Sequence, residues 1–355
     1  MLLSNLPALQ VVIPLVSAPA CLLLRNPRHA WALALIVSWL VLAMALLLLQ
    51  QVYTHGTISY AIGAWATPWG IEYRIDMAGA LMILVIATVG AVMMPYAWRS
   101  IQHELHKKHT GVYYTCYLLC LTGLLGIVVT GDAFNLFVFL EISSLSSYVL
   151  ISLGPTRRAL TAAYQYLVMG TIGATFILIG IGLLYMMTGT LNMLDISQRL
   201  PEVADTRTIR VAFAFVTVGV SIKLALFPLH IWLPNAYTYA PSVVSAFLAA
   251  TATKVGVYVL LRFFFTLFGL QFSFNAMHVG EILMLLAVAA ILIASLVAIF
   301  QDNVKRMLAY SSVAQIGYII LGISLATTAG VSAGMLHLFN HAMVKGALFM
   351  ACLLY

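Results

Sequence analysis

The sequence predicts an all-α polytopic membrane protein with about eleven transmembrane helices. Three observations predict it. The 355 residues are 63% hydrophobic and 8% charged, against about 25% charged in soluble domains. Mean hydropathy is +1.04. The apolar residues fall in runs of about 20, the length that crosses a hydrocarbon core. The net charge of +7 is scattered over short loops without an aromatic-interleaved basic patch, so nucleic acid is excluded as a partner and the lipid bilayer is the expected surroundings.

Apolar segments lie at about 7–24, 30–53, 76–98, 112–130, 133–153, 160–187, 209–229, 241–266, 279–300, 305–325 and 331–353. The first lacks a basic stretch before it and reads as a retained helix rather than a cleaved signal. It ends at the basic turn Arg25-Asn26-Pro27-Arg28. Thr54 to Arg74 is rich in Gly, Thr, Tyr and Trp with rough alternation, which predicts a short surface hairpin. Thr188 to Arg210 mixes acidic and basic residues and reads as a surface loop with an amphipathic helix. In the seventh segment, Pro228, His230 and Pro234 follow closely on Lys223. Proline removes a backbone donor and clashes with the preceding turn, so this helix is expected to break. Broken backbone at membrane depth needs protein or water to satisfy it, which predicts hydration near Lys223; the other reading is an ordinary proline kink.

Placing the N-terminus outside puts nine Lys and Arg residues in the inner loops and five on the outer side. The positive-inside rule therefore favours that orientation. Cys116 and Cys120 share one helix face without a companion His or Cys at ligand spacing, and read as packing residues. No iron–sulfur cysteine cluster, haem ligand set, phosphate-binding loop or nucleophile elbow is present, so no cofactor or catalytic site is expected in this chain.

Charges inside the apolar segments carry the functional information. Lys223, Lys254, Lys345 and Glu141 lie within spans, where each costs roughly 2.5–3.5 kcal/mol if uncompensated. Glu141 and Lys223, at similar depth, suit either a pair that gains and loses a proton as it tightens and loosens or a static ion pair between helices. Lys254 stands among small residues, with Thr251, Thr253 and Tyr258 offering hydroxyls for a water chain. His337, His341 and Lys345 recur every four residues on one helix face. Histidine titrates near neutral pH and suits a proton relay; a buried histidine bonded to a neighbouring helix is the alternative, and a metal site is not expected. Asp132 reads as the cap of the Glu141 helix.

These motifs resemble one family: the antiporter-like, proton-translocating membrane subunits of Mrp-type cation/proton antiporters, respiratory complex I and membrane-bound hydrogenases. Gly131-Asp132-Ala-Phe134-Asn135-Leu-Phe-Val-Phe-Leu-Glu141 resembles the family's fifth helix. Lys223 through Pro228, His230 and Pro234 to Pro241, and then Lys254-Val-Gly256-Val-Tyr258, resemble its seventh and eighth. Asp302 to Ser312 and His337 to Phe349 resemble later motifs. The fifth-helix wording, and Tyr237 where complex I subunits often have His, resemble the D-type branch of the Mrp antiporter subunits.

The resemblance implies that Glu141 and Lys223 gate protonation and that Lys254, His337, His341 and Lys345 continue a central proton path. It implies a multi-pass subunit of the bacterial inner membrane that moves protons, coupled to Na⁺ or K⁺ movement, alongside other membrane subunits. The alternatives are a proton-pumping subunit of an NADH:quinone oxidoreductase or hydrogenase complex and a non-conducting scaffold. The expected organisation is residues 1–111 as three helices with the hairpin, 112–266 as a complete five-helix repeat with its seventh helix broken, and 279–355 as a partial second repeat. Because the sequence stops at Tyr355, in its eleventh apolar segment, the chain is expected to be a fragment or one piece of a split subunit.

Overall fold

The computed structural model describes residues 3–24, 26–105 and 107–352. Arg25 of the basic turn and the terminal Tyr355 lie outside the described residues. The chain forms two compact units, residues 1–167 with 239–247 and residues 168–238 with 248–355.

The first unit begins with α1 (Leu6–Leu23), α2 (Pro27–His55), the strands β1 (Ile58–Ala61) and β2 (Glu72–Ile75), α3 (Met77–Glu104), α4 (Thr110–Val129) and α5 (Ala133–Ser152). Asn26 starts α2 by accepting the Arg28 N–H at 3.0 Å, with Pro27 in the first turn, where its missing donor costs nothing. The predicted hairpin is antiparallel, with Ile58 opposite Ile75 and Ala61 opposite Glu72. It docks on the turn between α4 and α5: Gly131 N donates to Glu72 O at 2.8 Å. Helix α4 presents a glycine groove to α5. A Cβ on Gly123 would lie 2.5 Å from Ser143 N, and one on Gly126 would lie 2.3 Å from the Phe139 ring. Cys120 Sγ sits 3.3 Å from Ser147 Oγ along the same seam, so it packs as expected. This close approach of small residues fixes the register of α5 on α4.

Helix α6 (Arg157–Thr188) runs from the first unit into the second. The second unit continues with α7 (Met193–Val203), α8 (Arg207–Lys223), α9 (Trp232–Tyr239), α10 (Ser242–Leu261), α11 (Val279–Ile299), α12 (Val304–Ser324) and α13 (Thr328–Ala351). The ends of α9 and α10 that meet at Pro241 fall in the first unit. The amphipathic helix expected in the loop after α6 is α7, which buries Met193, Ile196 and Leu200 and is capped by Asn192. Gly173 on α6 and Gly219 on α8 meet so closely that a Cβ on Gly219 would lie 2.5 Å from Gly173 O. Helix α10 continues as a π-helical stretch, Arg262–Leu267. Helices α11 and α12 pack along their length, and α13 packs on α12.

Nine of the described helices are long and apolar enough to cross a membrane. The two remaining predicted spans are α8, which has 17 residues and ends at Lys223, and α13, which holds His337, Asn340, His341 and Lys345. The predicted seventh segment ran to 229, but its helix stops six residues earlier.

Candidate functional site

The break after Lys223 is a built helix terminus. Leu226 N donates to Ser221 O at 2.9 Å and Ala225 N donates to Ile222 O at 3.1 Å, the paired bonds of a Schellman ending. The left-handed residue that this ending requires is Ala225, with φ +59°, a place usually held by glycine. Trp232 Nε1 reaches back to Ile222 O at 3.0 Å and ties α9 to the end of α8. Lys223 is thereby the last helical residue, where the negative end of the helix dipole favours a cation.

Pro228 lies in the irregular segment that follows the end of α8. Pro234 is the third residue of α9, so it helps start that helix, because first-turn N–H groups have no helical acceptor in any case. His230 stacks on Phe227, ring centroids 5.3 Å apart, and meets the Tyr310 ring edge-on at 6.3 Å.

Lys254 is 1% exposed, Lys345 2% and His341 4%, so all three are inside the protein rather than snorkelling outward. The Lys254 ammonium donates to Ala249 O and stands 3.4 Å from Thr253 Oγ1. Lys345 Nζ donates to Leu308 O on α12 at 2.8 Å, a carbonyl that also accepts from Ser312 Oγ at 3.0 Å. His337 and His341 stack almost parallel, 7° apart with centroids at 6.3 Å. Gln315 Oε1 lies 2.6 Å from His337 Nε2. Both ring nitrogens of His341 are buried without a hydrogen-bond partner, and Lys254, Lys345 and His337 are all close enough to act on that ring electrostatically. A buried imidazole in that state lacks the hydrogen bonds it would have in water. The structure thus gathers Lys254, His337, His341 and Lys345 into one cluster.

Helix α10 reaches the break through Gly256, where a Cβ would lie 2.8 Å from Leu224 Cβ and 2.9 Å from its Cα. The residue after Lys223 and the helix that carries Lys254 are therefore in backbone contact. Tyr258, expected among the water-chain hydroxyls, accepts from Arg262 Nε at 2.8 Å, with the guanidinium 4.8 Å above its ring. Gln315 was not singled out in the sequence; a lone amide in an apolar helix was its only signal.

Glu141 belongs to the first unit. It is half-buried on α5, two residues from both Phe139 and Ser143, and so faces away from the α4 seam. Asp132 caps α5 as expected, accepting the Asn135 N–H at 2.7 Å. Burial raises the Asp132 carboxyl above its ordinary value, and the backbone bonds from Asn135 and Phe134 offset part of that rise.

The family described as NADH:quinone oxidoreductase/Mrp antiporter, TM, matches residues 130–355. The chain belongs to this family. Similarity to family members extends beyond the matched region. The N-type subunit of the NADH-quinone oxidoreductase of Desulforudis audaxviator is 43% identical over 350 residues, covering 98% of this chain and 69% of that protein. The D-type subunit of the Na⁺/H⁺ antiporter of Bacillus subtilis is 30% identical over 349 residues, with the same coverage of 98% and 69%. A chain of the membrane-bound sulfane sulfur reductase, an archaeal respiratory membrane complex, superposes with a TM-score of 0.89 at 36% identity, over 98% of this chain and 70% of that one. A chain of the Mrp complex from Dietzia sp. DQ12-45-1b gives 0.88 at 28% identity, over 98% and 64%. This family member is a multi-pass membrane protein with the antiporter-like helical fold.

Proposed function

We propose that this chain is a proton-conducting subunit of a multisubunit monovalent cation/proton antiporter of the bacterial inner membrane, with its N-terminus outside. The observation that carries the reading is the cluster of Lys254, His341 and Lys345, buried in otherwise apolar helices, with an imidazole whose ring nitrogens have no hydrogen-bond partner. The similarity to a D-type Na⁺/H⁺ antiporter subunit supports it. In this reading Glu141 and Lys223 gate protonation, Lys254 is the next station, and His341, His337 and Lys345 extend the path. The helices over 112–266 act as the complete five-helix repeat and those over 279–355 as part of a second. Other membrane subunits supply the coupling to Na⁺ or K⁺.

Lys223→Ala in the full assembly tests the reading. Antiport in vesicles should fall sharply while the complex still assembles; unchanged antiport would sink it. A second reading, a redox-driven proton pump, is favoured by the 43% identity to an NADH-quinone oxidoreductase subunit. The residues would do the same work under a different driving force. Neighbouring genes separate the two: small antiporter subunits on one side, iron–sulfur and nickel or flavin subunits on the other.

A further inference from the structure

The first unit carries a cleft of about 540 Å³ that the proton path does not use. It opens where the turn into α2, the end of α3 and the start of α4 meet, and it is lined by Arg28, Trp98, His103, Thr110 and Tyr114 among others. Tyr114 is fully buried, and its hydroxyl has no hydrogen-bond partner. A buried hydroxyl in that state loses the hydration it would have in water, so a ligand atom or water is its expected partner.

The charge at this end favours an anion. Helix α4 starts here, and the first N–H groups of a helix are natural anion donors, whereas those of α2 are already taken by Asn26. His109, at the cap position of α4, makes no side-chain bond to those amides. Arg28 supplies a fixed positive charge, and His103 stands in the last turn of α3. The nearest carboxylate in sequence, Glu104, is already engaged by Ser100 Oγ and by Ser242 N, both at 2.9 Å.

The surroundings are those of the membrane surface. Trp31 and Trp98 pack together at 5.2 Å, and Trp31 Nε1 bonds Met94 O at 3.0 Å, an aromatic pair of the kind that sits at headgroup level. Leu22 and Leu23 at the end of α1 are 56% and 82% exposed, an apolar surface beside the cleft for acyl chains.

We infer that this cleft binds the phosphodiester headgroup of an anionic phospholipid, with Tyr114 and the α4 amides donating to the phosphate and Arg28 pairing with it. The full chain is purified in detergent and offered phosphatidylglycerol or phosphatidylcholine, with retained lipid counted by native mass spectrometry. Phosphatidylglycerol should be retained preferentially. Tyr114→Phe, which keeps the ring and its packing, should weaken retention roughly threefold to tenfold through the lost hydrogen bond. Arg28→Gln should weaken it about fivefold. Arg210→Gln, an exposed cation at the start of α8, should leave it unchanged. Equal retention of the two lipids by the unaltered chain would overturn the inference, and that comparison needs no variant to fold. Retention unaffected by Tyr114→Phe and Arg28→Gln would overturn it as well. Full displacement by inorganic phosphate would assign the cleft to a soluble anion and overturn the lipid assignment.

Discussion

Gly256→Ala probes the contact that brings the Lys223 terminus against the Lys254 helix. The added Cβ would stand 2.8 Å from Leu224 Cβ, 2.9 Å from Leu224 Cα and 3.1 Å from Leu224 N. Ordinary carbon contacts begin near 3.5 Å, so one backbone must move by about 0.7 Å. Two of the three clashing atoms are backbone, and Leu224 is fixed as the cap of α8, so no flexible side chain absorbs the strain. Overpacking of this kind costs about 1–3 kcal/mol. The displaced element is the turn that immediately follows Lys223. A misplacement approaching 1 Å slows a geometrically demanding transfer by up to about a hundredfold. Proton movement in proteoliposomes holding the full assembly should therefore fall at least tenfold, by this ~0.7 Å displacement, while thermal melting of the purified chain shows only the modest loss above. Gly256→Val should be worse on both counts. Wild-type transport with wild-type melting in Gly256→Ala would refute the idea that this contact sets the lysine geometry.

Ala225→Gly should stabilise the chain by about 1 kcal/mol, because φ of +59° costs a side-chain residue what glycine does not pay; thermal melting reads it, and an unchanged or lower midpoint counts against the strain. Lys345→Met removes the bond to Leu308 O but leaves Ser312 Oγ on that carbonyl, so stability should stay within about 1 kcal/mol of wild type while proton transport drops about a hundredfold. Retained transport would remove Lys345 from the path. Asp132 supplies a pH dependence. Its carboxyl is raised in the folded chain, so the folded state holds the proton more tightly than the unfolded chain does, and the resulting stability is fullest below 3.8 and lost as pH rises through the raised value. Asp132→Asn should abolish that part of the pH profile while keeping the cap; an identical profile in the variant would refute the assignment.

Helix positions were legible wherever an apolar run has the length of a bilayer. Segments expected at 133–153 and 279–300 appear as Ala133–Ser152 and Val279–Ile299. The hairpin and the amphipathic helix α7 were legible from alternation and from mixed charge. The end of α8 was not, because its terminating residue is Ala225 and nothing local marks an alanine as left-handed. Pro228 announced a break but not its start. The titratable members of the cluster stood out because charges are rare in spans, whereas their acceptors did not. Ala249 O and Leu308 O are backbone atoms with no sequence signature, and Gln315 acquires its role only when α13 packs on α12.

Those acceptors bear on how the lysines work. Neither Lys254 nor Lys345 is bonded to a carboxylate among the described residues; each donates to a helix carbonyl. A carboxylate partner would hold a lysine in its charged form, because the ion pair is lost when the proton leaves. A carbonyl makes a smaller demand, since a neutral amine still donates to it, though more weakly than an ammonium does. The bond therefore keeps Nζ in place through both protonation states, and the charge is left free to respond to its neighbours. For Lys345 those neighbours include His341 one turn away on the same helix, whose two unpartnered ring nitrogens can accept or give a proton through water. Replacing the carbonyl arrangement with a fixed charge tests this. Ser312→Asp places a carboxylate in the turn above Leu308 O, within reach of the Lys345 side chain, and should trap Lys345 charged. Transport should fall as far as in Lys345→Met even though every lysine is present, and the double variant Ser312→Asp with Lys345→Met should be no slower than either alone. Transport unchanged by the added carboxylate would mean that Lys345 need not release its charge, and the carbonyl bond would then be packing alone.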